Sequence, residues 1–101
     1  MAKGYWVVLV DVKNMDGYRS DYVASLGDIF RKFGARYLTR GGETSVVEGS
    51  AKSRTVVIEF PSYQAAVDCY KSPEYTKAKA GRRAHAEADF VITEGYDGPQ
   101  P

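Results

Sequence analysis

Segments of this chain that are apolar on both sides of a strand constrain its fold more than any other feature. Side chains alternate across a strand, so the two faces can be read separately. In residues 5–12, Trp6, Val8, Val10 and Val12 share one face, and Tyr5, Val7 and Leu9 share the other. Residues 54–60 repeat the pattern with Val56, Val57 and Ile58 in succession, and residues 87–94 do so around Phe90, Val91 and Ile92. Strands of this kind belong in a sheet that is covered on both faces. With 101 residues the chain fits a single domain, and a domain this small leaves much surface unburied and gains from a partner.

The intervening segments read as helices. Asn14 or Asp16 can cap the first, along which Tyr18, Tyr22, Leu26, Ile29 and Phe33 form a stripe at spacings of four and three. Gly34 is placed to end it, with Arg31 and Lys32 favouring the last turn, while Gly27 weakens it by roughly 1 kcal/mol. Residues 35–40 form a second strand, Gly41-Gly42 a turn or bulge, residues 45–49 a short extended piece and residues 50–53 a polar loop. Pro61-Ser62 stops the next strand, and Ser62 caps a helix whose Ala66, Val67 and Tyr70 face the core. Ser72-Pro73-Glu74 restarts helix, which is expected to run to about Ala80 and stop near Gly81. The Gly/Pro-rich residues 96–101 read as a flexible tail or an arm toward a neighbour, leaving residues 1–95 as the domain.

The resulting order is βαβ, hairpin, βαβ, which predicts an α+β ferredoxin-like split βαβ sandwich. Right-handed crossovers put its helices on one face of the sheet. The other face would carry Val, Leu, Ile and aromatic residues, too large an apolar patch for a monomer. A second copy packed sheet to sheet is the simplest cover, so a homodimer is expected.

Composition removes several function classes. Fourteen Lys and Arg balance 13 Asp and Glu to a net charge of +1, which points away from nucleic-acid and anionic-membrane partners. The common RNA-recognition module shares this element order, but Thr55 and Val57 occupy its stacking positions, and neither stacks on a base. One Cys and one His cannot build a Cys/His zinc site, so no metal is expected. No phosphate-binding loop, dinucleotide fingerprint or nucleophile elbow is present, and no cofactor is predicted. The lone Cys69 excludes an intrachain disulfide, and the apolar run at residues 5–10 is too short for a signal or a span; a cytoplasmic protein is the expectation.

Gly4-Tyr5-Trp6, Arg40-Gly41-Gly42, Glu48-Gly49, Ile58-Glu59-Phe60-Pro61-Ser62, Ser72-Pro73-Glu74-Tyr75 and Ala86-Glu87-Ala88-Asp89 follow one another in an order that resembles a small bacterial family, domain of unknown function thirteen-thirty. The resemblance spans about residues 3–95. It implies membership of the dimeric α/β-barrel group, in which ferredoxin-like protomers pair through their sheets. The chain departs from the family at Asn14-Met15-Asp16, where members often carry Asp-Pro, and this touches capping only. The family brings no reaction with it. The wider group includes cofactor-free oxygenases, haem-handling enzymes and muconolactone-isomerase-like proteins, which are analogies at the level of fold.

The first candidate ligand site is the Arg40-Gly41-Gly42 corner with Glu48 and Arg54. Two arginines can grip a carboxylate, and glycines admit a ligand to the backbone; an Arg–Glu pair bracing a turn is the plainer account. His85 is a candidate general base or axial haem ligand, against an exposed loop histidine. Tyr75 can act as acid or hydrogen-bond donor at a pocket mouth, although Ser-Pro-Glu before it already serves helix initiation. Tyr18 and Tyr22 are core aromatics or cavity lining. Cys69 reads as an inert buried thiol, and Lys77, Lys79, Arg82 and Arg83 as a solvated basic face. The favoured reading is a cofactor-independent enzyme acting on a small anionic metabolite between sheet and helices. Tyr75, His85 or Glu48 would move the proton, and Arg40, Gly41, Gly42, Arg54 and Tyr18 would bind. The alternatives are a non-catalytic small-molecule-binding or stress-related module, and a haem-binding relative.

Overall fold

The apolar alternation resolves into a single antiparallel sheet in the computed structural model, which describes residues 2–101. Strands β1 (Gly4–Val12), β2 (Arg36–Arg40), β3 (Arg54–Phe60) and β4 (Ala86–Glu94) lie in the order β2-β3-β1-β4. Helices α1 (Met15–Tyr18), α2 (Ala24–Phe33), α3 (Tyr63–Lys71) and α4 (Pro73–His85) pack on one face, with a π-helical turn, Arg19–Val23, joining α1 to α2. The fold is the ferredoxin-like α+β arrangement expected from the element order.

The helix-side face of the sheet carries Trp6, Val8, Val10, Val56, Ile58 and Phe60, all buried. Trp6 sits at the centre, with its ring against Phe30, Phe60, Tyr70, Tyr75 and Phe90. Its indole N–H donates to the Ala66 carbonyl at 2.9 Å, so the one polar atom of the ring is satisfied. Ile58, Phe90 and Ile92 belong to this core, so the open face is less varied than the sequence suggested. Its apolar centre is one row across three strands, Val57–Val7–Val91, flanked by Leu9 and Tyr5, and it holds no isoleucine.

Local chemistry explains most of the element boundaries. The Asn14 side chain accepts from the Gly17 N–H and caps α1, and Gly34 ends α2 at φ 71°. Ser62 caps α3, and Ser72 closes α3 through the Cys69 carbonyl while capping α4. The spacing of Tyr18, Tyr22 and Leu26, two successive steps of four, exceeds two α turns of 3.6 residues; the wider π turn between them keeps all three on the buried side. On α3 the inward residues are Ala66 and Cys69 with Tyr70 packed beside them, whereas Val67 lies only partly buried.

Other expectations need correction. Helix α4 does not stop near Gly81 but continues to His85. A Cβ on Gly81 would stand 2.1 Å from the Asp21 carbonyl oxygen, so this glycine serves close helix crossing, not termination. Residues 45–49 form no strand; residues 41–53 make one long exposed connection between β2 and β3. Its far end is anchored where Asp11 accepts from both the N–H and the hydroxyl of Ser53, at 2.7 and 2.8 Å.

Candidate functional site

Between the first helical segment and β1, β3 and β2 lies a cavity of about 230 Å³. Its apolar part comes from Val8, Met15, Val23, Leu26, Val56 and Ile58, and its remaining wall is aromatic and cationic. Tyr18, Tyr22 and Tyr37 line it together with Arg19, Arg40 and Arg54, and no carboxylate does so. None of these three arginines forms an ion pair among the described residues.

Each arginine is positioned by its strand or turn. Arg54 begins β3, and one of its terminal N–H groups donates to the Arg40 carbonyl at 3.3 Å, while its Nε is buried without a partner. Its guanidinium lies over Gly41, where a Cβ would come within 2.3 Å and where φ is 77°. Gly41 is therefore glycine for both backbone and space. Arg40 stacks on the Tyr37 ring at 4.5 Å. Arg19 opens the π turn immediately after Tyr18, and sequence gave no sign of it, since a lone arginine on a helix reads as surface. Gly42 borders a separate shallow depression with Thr39 and Thr44.

The tyrosines link the cavity to the core. The Tyr22 hydroxyl meets the Tyr75 hydroxyl at 2.7 Å, and the Tyr18 ring packs against that of Tyr22. Burial pushes Tyr18 and Tyr75 above the ordinary phenol range and Tyr22 well above it. Tyr75 is fully buried and reaches the cavity only through Tyr22. Beyond Tyr75 lies Arg82, 5% exposed and without an ion pair among the described residues, held between the rings of Tyr22 and Phe90. In place of the solvated basic face expected from sequence, the helical continuation through Gly81 turns it inward.

Two further residues expected at the site, besides Gly42 and Tyr75, stand apart from it. Glu48 is exposed in the 41–53 connection, makes no ion pair with Arg54, and does not line the cavity. His85 ends α4, its ring rests against Gly17, and its Nε2 meets the Asp21 carboxylate at 2.7 Å. That pair ties the end of α4 to the π turn and lies off the cavity. Among the described residues no group of three or more His, Cys, Asp or Glu side chains is placed to hold a metal ion, and no helix is long and apolar enough to cross a membrane.

Cys69 has no solvent exposure, and burial raises its thiol to about 12. It is expected to stay unmodified by disulfide reagents at pH 8 until the protein unfolds. Stoichiometric labelling of the native protein within minutes would contradict this burial.

Fold and site together define a ferredoxin-like α+β protein with an arginine-lined cavity under its first helix. The chain belongs to the family described as Domain of unknown function (DUF1330), whose model matches residues 3–96. No curated protein matches its sequence. Among solved structures it is similar to RPA0582, a protein of unknown function from Rhodopseudomonas palustris, at 16% identity and TM-score 0.75 over 96% of this chain and 85% of that one. It is also similar to SnoaB, a cofactor-independent oxygenase from Streptomyces nogalater, at 12% identity and TM-score 0.59 over 100% and 97% of the two chains. A third is an EthD family protein from Bacillus halodurans, at 11% identity and TM-score 0.53 over 95% and 100%. At these identities the likeness is one of fold.

Proposed function

We propose that the chain is a cofactor-independent enzyme acting on a small anionic metabolite held in the cavity between sheet and first helix. One observation carries this reading: the cavity wall contains three guanidinium groups and three phenols and no carboxylate. A cationic, partly desolvated wall beside an apolar part favours a ligand with an anionic end and an apolar body. At about 230 Å³ the space is smaller than the ~300–1,000 Å³ typical of drug-sized ligands, so the ligand is a small metabolite. The likeness in fold to SnoaB, itself a cofactor-independent oxygenase, supports the enzyme class by analogy only. His85, engaged by Asp21 and outside the cavity, lends no support to haem ligation.

A thermal-shift screen of small carboxylates tests the reading. Binding should weaken about 10- to 100-fold in Arg54→Ala, the loss of one charge-assisted contact worth ~1.5–3 kcal/mol. A ligand that binds equally well without Arg54 and Arg40 would overturn it. Turnover lost in Tyr22→Phe with binding retained marks an enzyme; binding with no turnover under any condition marks a non-catalytic module.

The same proposal includes a homodimer formed through the open face of the sheet. The Val57–Val7–Val91 row, with Val91 51% exposed, faces solvent in the single chain. Carboxylates around it are already engaged: Glu59 by Arg36, Asp89 by Lys52, Glu87 by Lys13 and Asp11 by Ser53. A rim whose carboxylates are already hydrogen-bonded, three of them to cations, around an apolar centre suits contact with a second copy. Val7→Lys is expected to convert a dimer to monomer in sedimentation velocity at micromolar concentration. A wild-type chain that sediments as a monomer there would remove the dimer.

A further inference from the structure

Tyr37 and Arg40 both line the cavity, and the Arg40 guanidinium lies 4.5 Å from the centre of the Tyr37 ring. On a regular strand, residues at i and i+3 point to opposite faces of the sheet. An irregularity in β2 brings these two to the same side. Tyr37 pairs with Ile58 and Arg40 with Val56, both on the helix side of β3, so β2 holds one residue more than β3 over the same stretch. Leu38 is the residue without a partner, and it is 44% exposed. This is a β-bulge, which bends a strand and re-aims a side chain. Thr39 stands at it. The Thr39 hydroxyl accepts from the Val57 N–H at 2.9 Å and donates to the Thr55 carbonyl at 3.2 Å. A side chain thus occupies a place in the ladder that backbone groups hold elsewhere. Beyond Arg40, the Gly41 N–H donates to the same Thr55 carbonyl at 3.2 Å, so Arg40 is held between two stitches to β3. Thr39 itself borders the shallow depression beside Gly42 and does not line the cavity.

We propose that Thr39 is a positioning residue: by stapling the bulge with its hydroxyl it turns Arg40 into the cavity and so sets the affinity of the site for anions. This rests on the cavity being the ligand site. Without the bulge, the alternation of side chains would carry Arg40 to the open face of the sheet. Two guanidinium groups, those of Arg19 and Arg54, would then remain at the cavity wall. Loss of the hydroxyl leaves the Val57 N–H without its acceptor, and regular pairing with a β2 carbonyl becomes the way to satisfy it. Thr39 therefore acts on a ligand only through Arg40.

Two measurements test it, on Thr39→Val, which keeps the shape of the side chain without the hydroxyl, and on Thr39→Ser, which keeps the hydroxyl. In the ligand-free protein, NMR should show the Arg40 side-chain protons displaced by the ring current of Tyr37. The displacement should persist in Thr39→Ser and vanish in Thr39→Val. An Arg40 signal unchanged in Thr39→Val overturns the inference and leaves the anion site standing. Benzoate is the binding probe, with succinate in its place if benzoate does not bind. Its dissociation constant should rise about tenfold in Arg40→Ala and by the same factor in Thr39→Val, with Thr39→Ser close to the wild type. The double variant should bind no worse than Arg40→Ala alone. A loss of about 100-fold in the double variant, the product of two independent effects, would show that Thr39 supports the site by some route other than Arg40 and overturns the inference. Failure of both probes to bind the wild type overturns the anion site and the role of the bulge in it. The Arg40 signal separates that failure from a failure of the staple. Should Thr39→Val not fold, Thr39→Ala against Thr39→Ser makes the same comparison.

Discussion

Gly81→Ala is expected to destabilise the protein by about 2 kcal/mol or more, although alanine is the better helix former by ~1 kcal/mol. The two considerations have opposite signs, and geometry decides between them. The added methyl would lie 2.1 Å from the Asp21 carbonyl oxygen, far inside the roughly 3.3–3.6 Å of a close carbon–oxygen contact. Backbone stands on both sides of that contact, so neither side can swing away, and α4 must lift from the π turn. Lifting it also disturbs Tyr22, the residue after Asp21, together with its bond to Tyr75. Urea unfolding at fixed protein concentration should show the midpoint falling and carboxylate binding weakening together. A midpoint that rises would mean that helix propensity governs this site and that the crossing is looser than described.

Trp6→Ala should cost more, about 3–5 kcal/mol, the usual range for emptying a large aromatic site. Domains of this size hold roughly 5–15 kcal/mol in total, so the variant is expected to lose at least ~12 °C in melting temperature or to fail to fold. The reason is position. Trp6 is fully buried on a central strand, touches aromatic rings from α2, β3, α3, α4 and β4, and donates to the Ala66 carbonyl. Its removal opens a cavity and takes one hydrogen bond from the Ala66 carbonyl. Trp6→Phe keeps part of the packing and loses only the hydrogen bond and some volume, so its loss should be smaller. Equal losses in the two variants would show that the hydrogen bond, and not the filled volume, dominates.

The candidate site was legible in part. Arg40, Arg54 and Tyr18 converge in the structure because β2 and β3 are hairpin partners and α1 passes above them, whereas Gly41 makes room for the Arg54 guanidinium and Gly42 borders a separate depression. Those are local consequences of element order. Glu48 failed because its hairpin does not continue as a ladder, and the 41–53 connection carries it away from the sheet. His85 failed because the helix before it runs longer than its glycine suggests and hands the imidazole to Asp21. Arg82 and Arg19 could not be assigned in advance: whether an arginine faces water or a phenol depends on which neighbour lies one helix away.

By itself the sequence determined the pattern of strands and helices and the caps that bound most of them. Period-two and near-helical alternation, Ser and Asn at helix starts and Gly34 at a helix end act within a few residues. Only the tertiary structure decided which of two apolar faces was covered, how closely α4 crosses the π turn, and which buried groups share protons. Those outcomes depend on distances between residues far apart in the chain, such as Tyr22 and Tyr75 or Asp21 and Gly81, and no local propensity encodes them.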